Sequence, residues 1–210
     1  MKNKEISYEI IDFSGETNVQ FRTSVDPGSY IPTHWHRAIE IIYMQEGSLD
    51  VTVESESFTI HEGDCILVNG NVLHSTKCTA PNTAILLQIP LDFMAKYIPD
   101  LGQLIFLWDY RTEDPVKKTK LMMLKTTLEQ LQVINDIHPD GYLLRFNSLI
   151  FELLFQLYHN FSVKVFHQNI NQRQKEMDRL DPVLNYIAEH YKEPISLDEI
   201  ADIACLQTGY

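Results

Sequence analysis

The 210-residue chain contains only three cysteines, and Cys65, Cys78 and Cys205 sit at spacings that fit neither a disulfide framework nor a zinc knuckle. They read as small apolar fillers in a reducing compartment. Basic residues are also short, with 17 Lys and Arg against 29 Asp and Glu and a formal net charge of −12. A field of that sign repels phosphates, so this chain is not expected to grip nucleic acid by itself. Long apolar runs are missing too, because Glu152 and Gln156 interrupt the greasiest stretch, Ser148 to Phe161. No segment reaches the ~18 uninterrupted apolar residues that a membrane span needs. The first dozen residues mix Lys2 and Lys4 with Glu5 and Glu9 and carry no apolar h-region, so a cytoplasmic location without a membrane partner is expected. Core-forming residues are plentiful. Some 44% of residues are hydrophobic and 10% aromatic, enough for one or two domains and too many for disorder.

The hydrophobic period changes near residue 90. Before it, short β-branched and aromatic segments alternate with turn signals: Val19 to Val25, then Asp26-Pro27-Gly28, then Glu40 to Met44 ending at Glu46-Gly47. Leu49, Val51 and Val53 alternate with polar neighbours, Phe58 and Ile60 follow a Ser55-Glu56-Ser57 turn, and Cys65 to Val68 follows Glu62-Gly63-Asp64. Strands this close leave no room for crossover helices, which predicts an antiparallel barrel or sandwich.

After residue 90 the period is helical. Leu121, Leu124, Leu128 and Leu131 form a stripe within Lys117 to Asn135. Leu143, Phe146, Leu149, Ile150, Leu153, Leu154, Leu157 and Phe161 form a broader face on a second helix opened by Pro139-Asp140-Gly141. Two amphipathic helices on a short loop must bury those faces on the sheet, on each other or on a partner. Both a helical layer over the barrel and a dimer seam along the leucine stripe satisfy this. Polar residues 163–180 read as a linker. Asp181-Pro182 then opens a new helical pattern that ends at Pro194, and Ser196-Leu197-Asp198-Glu199 forms a capping box for a further short helix.

The sharpest chemical signal is Gly28, five residues, His34-Trp35-His36, three residues, Glu40, six residues, Gly47. Residues two apart in a strand share a face, so His34 and His36 project together, and a bend or bulge brings Glu40 to the same place. Two imidazoles and a carboxylate converging make a metal-ligand set. A second run, Gly63, five residues, Asn69, then Asn71 and His74, offers a third imidazole from a different strand.

These two runs resemble the paired motifs of the cupin superfamily, Gly-x5-His-x-His-x3-Glu-x6-Gly, complete here, and Gly-x5-Pro-x-Gly-x2-His-x3-Asn, in which Asn69, Asn71 and Cys78 replace Pro, Gly and Asn. The resemblance implies an α+β chain whose β part is an antiparallel double-stranded β-helix, with His34, His36, Glu40 and His74 as ligands of a divalent metal (Zn, Ni or Fe). A metal-free polar pocket built from the same four side chains is the other reading they allow. Tyr30 and Tyr43 flank the motif as further candidates for contact with a small polar ligand, such as a sugar.

A cupin followed by helices and then by Tyr186 to Tyr191, Ile195-Ser196-Leu197 and Glu199-Ile200-Ala201 is similar to the AraC family of transcription regulators. That resemblance implies a barrel over 1–90, a helical packing or dimerisation segment over 91–162, the linker 163–180, and an incomplete first helix-turn-helix over 181–210. It further implies a small-molecule effector, a homodimer, no catalysis, and DNA binding only through a full-length protein. Cys205 stands where the family has a turn glycine, and the chain ends at Tyr210, where the recognition helix is expected to begin, so no DNA-contacting residue is assigned. From Val163 to Tyr210 there are five basic residues against eight acids, a net −3. The alternative is a small metal-dependent cupin enzyme, a dioxygenase or a sugar isomerase.

Overall fold

The computed structural model describes residues 6–13, 15–165, 182–183, 186–187, 190 and 193–203. The chain divides into two compact units, Met1–Lys164 and Val165–Tyr210. Among the described residues no helix is long and apolar enough to cross a membrane.

The first unit is the expected mixed α+β fold. Its strands are β1 (Ser7–Tyr8), β2 (Gln20–Asp26), β3 (Tyr30–Trp35), β4 (Ala38–Glu46), β5 (Ser48–Val53), β6 (Glu56–His61), β7 (Cys65–Val68), β8 (His74–Lys77) and β9 (Asn82–Pro90). They form two sheets, β1-β3-β8-β5-β6 and β2-β9-β4-β7, and every pairing is antiparallel except β1 with β3. The β4–β5 hairpin turns at Gly47, where φ is 81° and a Cβ would lie 2.7 Å from the Pro81 carbonyl oxygen, so no side chain fits.

Strand alternation explains why β4 is apolar on both sides. Ile42 and Met44 point into the barrel with Val51, Ile60, Ile66 and Ala84. Ile39 and Ile41 point the other way, with Ile85, Leu87 and Ile89 of β9, into a second core roofed by helices. The roof comprises α2 (Pro115–Ile137) and α3 (Tyr142–Gln156), the latter continuing as a π-helical turn, Leu157–Phe161. Asp114 caps α2 by accepting from the Val116 and Lys117 amides at 2.8 and 3.1 Å, with Pro115 at the first helical position. A short α1 (Leu91–Met94) and the ribbon β10 (Leu104–Phe106) with β11 (Ser162–Lys164) complete this unit.

The leucine stripe faces the sheet. Leu124, Leu128 and Leu131 are fully buried within the single chain and Leu121 nearly so, which corrects the alternative of a dimer seam along these residues. The amphipathic pattern is the same for either outcome; what decides it is that the outer face of β4 and β9 needs a cover.

In the second unit the described residues include α4 (Leu197–Ile203). Ser196 and Glu199 form the expected reciprocal cap, with the Ser196 amide donating to Glu199 Oε2 at 2.7 Å and the Glu199 amide to Ser196 Oγ at 3.2 Å. The linker from residue 166 onward, Asp181 and Cys205 lie outside the described residues.

Candidate metal centre

His34 lies near the end of β3, His36 in the connection to β4, Glu40 inside β4 and His74 at the start of β8. His34 and His74 are cross-strand partners, and a register shift between Ile31 and His34 turns this end of β3. The three imidazole rings meet inside the barrel, with the His34 and His74 centroids 4.1 Å apart and those of His36 and His74 4.9 Å apart. All four side chains are buried.

Each imidazole is oriented by its Nδ1. His34 Nδ1 lies 2.9 Å from the Pro32 carbonyl, His36 Nδ1 3.0 Å from that of Ala38, and His74 Nδ1 2.9 Å from that of Val72. A carbonyl can only accept, so each Nδ1 carries a hydrogen, and a ring without a second proton presents its Nε2 lone pair. One ligand atom from each of the three rings falls within 4.8 Å of the others. His74 Nε2 is buried and has no hydrogen-bond partner among the described residues. Lone pairs aimed at one another repel, and a cation between them removes the repulsion.

Glu40 adds negative charge beside them. Its Oε2 lies 3.2 Å from His36 Nε2 and its Oε1 3.9 Å from His74 Nε2. A carboxylate facing a ring nitrogen at that distance needs a cation shared between them, either a second proton on His36 or a metal ion. Gln88, the cross-strand partner of Glu40, donates from Nε2 to Oε2 at 2.7 Å. Burial by itself would raise the Glu40 carboxyl, but the hydrogen bond from His36, the positive charge that His74 and His36 carry whenever they are protonated, and the Gln88 amide together hold it below its ordinary range. Burial lowers the His74 pKa, against the opposing pull of Glu40, so this ring stays neutral and able to ligate.

Two ligands about 2.1 Å from one ion and 90–109° apart are separated by roughly 3.0–3.4 Å. The His36 Nε2–Glu40 Oε2 separation of 3.2 Å falls in that range, the three imidazole donors lie within a wider 4.8 Å of one another, and the donor chemistry suits a borderline divalent ion. The residues present therefore fit a metal. A cavity of about 70 Å³ adjoins the cluster and is lined by His34, Glu40, Arg22, Ile42, Leu86 and Gln88 among others. It has space for several waters or one small ligand.

Tyr30 and Tyr43 are placed elsewhere. Tyr30 is exposed and borders a separate hollow with Asp50, Thr52 and Phe58. Tyr43 points to the helical side, where its hydroxyl donates to Glu129 at 3.0 Å; burial and that carboxylate push its pKa up to about 12. Its odd separation from Glu40 along β4 puts it on the opposite strand face. Trp35, between the two imidazoles along the strand, packs instead against Tyr8, with ring centroids 4.6 Å apart.

The degraded second motif has its own local logic. Asn71 adopts a φ of 63°, which asparagine tolerates where the motif has glycine. Asn69 clamps the Phe106 backbone, donating to its carbonyl at 2.7 Å and accepting from its amide at 2.9 Å. Sequence reasoning missed Gln88 and Glu9. Gln88 could have been suspected as a polar residue in an otherwise apolar strand; Glu9 carried no signal.

Residues 21–90 match the family profile described as a cupin domain. The HTH-type transcriptional regulator YdeC of Bacillus subtilis (strain 168), itself uncharacterized, is 23% identical over 96% of this chain and 72% of its own length. LumQ of Photobacterium leiognathi, named a probable transcriptional regulator, is 26% identical over 82% of this chain and 62% of its own length. Among solved structures, an RmlC-like cupin from Shewanella frigidimarina NCIMB 400 is 26% identical over 36% of this chain and 70% of that chain, with a TM-score of 0.33.

Proposed function

We propose that this chain is the effector-sensing part of an AraC-type transcription regulator, in which a divalent metal held by His34, His36, His74 and Glu40 takes part in binding a small polar ligand. The observation that carries the metal is the convergence of three imidazoles whose Nδ1 atoms are all committed to carbonyls, with His74 Nε2 left without a partner among the described residues. The regulator reading is supported by relatives named as transcriptional regulators that align along most of the chain. When bound, the metal would supply a Lewis-acidic point of attachment for an oxygen or nitrogen of the effector.

In this reading residues 1–90 form the chamber, 91–162 the helical layer, 163–180 a linker and 181–210 the start of the DNA-binding part. The protein acts as a homodimer, and its seam runs along the outer face of α3. Leu144, Phe151 and Phe155 are exposed there, at offsets of 0, 7 and 11, and Tyr158 is exposed on the π-helical turn that continues the helix. Effector binding that favours one dimer arrangement shifts the population toward it.

Replacing His34 and His36 with Ala in the full-length regulator tests the proposal. A reporter gene should lose its response to effector while promoter binding persists; an intact response would refute it. A metal-dependent enzyme would use the same cluster, and turnover by the purified chain would favour that reading instead.

A further inference from the structure

The cluster has a neighbour from outside both motifs. β1 pairs in parallel with β3, setting Tyr8 beside Trp35, and the Glu9 amide extends the pairing by donating to the Trp35 carbonyl at 2.9 Å. Tyr8 packs on Trp35 on the outer side. Alternation sends the next side chain, Glu9, to the opposite side, where His34 and His36 point. Glu9 Oε2 lies 3.5 Å from His34 Nε2 and 3.9 Å from His36 Nε2. Glu40 borders the His36 and His74 nitrogens, so the two carboxylates flank different pairs of imidazoles. Their burial differs sharply: the Glu40 side chain is 7% exposed and that of Glu9 43%.

We propose that Glu9 is a further ligand of this centre, and that its place is the one a small carboxylate or other oxyanion takes by exchange. The inference rests on the metal reading above. Two carboxylates balance a divalent charge, and the outer one is both solvent-accessible and tethered through a strand of only two residues. Exchange of one carboxylate for another conserves charge and donor type, so an anionic ligand displaces Glu9 at little electrostatic cost. Glu9 also lines the cavity beside the cluster, together with Arg22, a cation suited to an anionic ligand.

The test is Co²⁺ titration of the metal-stripped full chain at neutral pH, read by visible absorption and by competition with a chromophoric chelator. Glu9→Ala is expected to weaken Co²⁺ binding about tenfold and to change the d–d spectrum, a size seen when groups around a metal are removed. Glu9→Gln, which keeps the side-chain shape, should weaken binding in the same direction. Millimolar acetate should restore the Glu9→Ala spectrum toward that of the unmodified chain. Unchanged affinity and spectrum in both variants would show that Glu9 only pairs with an imidazolium, overturning its assignment as a ligand. Lack of any acetate response would overturn the exchange. Failure of the unmodified chain to bind Co²⁺ at all would instead refute the metal reading on which the inference stands.

Discussion

Metal addition offers the most direct test of the cluster. A ligand that binds only the folded state stabilises it by RT ln(1 + [L]/Kd), about 2.7 kcal/mol at a hundredfold excess over Kd. For a unit of this size one kcal/mol moves Tm by about 2–4 °C, so Zn²⁺ should raise it by roughly 5–10 °C. The rise should depend on pH in a definite direction. Each Nδ1 hydrogen is committed to a carbonyl, so a second proton on any ring takes the Nε2 lone pair that the metal needs. His74 is held neutral below the ordinary histidine range and Glu40 ionised below the ordinary carboxylate range. Unfolding therefore releases groups that bind protons more readily, and the metal-free fold loses stability as pH falls through the ordinary His74 range and, lower down, through that of Glu40. Differential scanning fluorimetry at about pH 7.5 and about pH 5.5, on either side of the ordinary histidine range, should show the Zn²⁺-induced shift shrinking in acid. His74→Ala should abolish most of it at either pH. An equal shift in His74→Ala would refute the reasoning.

Leu128→Ala removes a fully buried side chain from the sheet–helix core and should cost about 2–5 kcal/mol in urea denaturation; a loss below about 1 kcal/mol would contradict that packing. Phe155→Glu, on the exposed face of α3, should leave the fold intact and convert a dimer to a monomer by light scattering, whereas an unchanged mass would exclude this face as the seam. Gln88→Leu removes the amide that orients Glu40 and should weaken metal binding about 10- to 100-fold, measured by chelator competition; undiminished affinity would show that Glu40 needs no such support.

Part of this protein was legible in one dimension. Alternation and turn residues predicted the strands, and the His34, His36, Glu40 and His74 spacing predicted a buried cluster that the fold does bring together. The ambiguous elements were those whose pattern serves two environments equally. The leucine stripe of α2 is one case, because burial against a sheet and burial against a second helix select the same residues. Tyr43 is another: nearness in sequence to Glu40 suggested a shared pocket, but an odd separation along a strand reverses the face.

Local sequence determined where strands and helices begin, the two-residue spacing that lets His34 and His36 project together, and the cap at Ser196 and Glu199, since each depends on residues a few positions apart. Tertiary structure alone decided that Gln88 supports Glu40 across 48 residues, that Glu9 reaches His34, and that three Nδ1 atoms find carbonyls while their Nε2 atoms converge. Those relations depend on strand register and sheet closure, which bring together atoms that no short-range period connects.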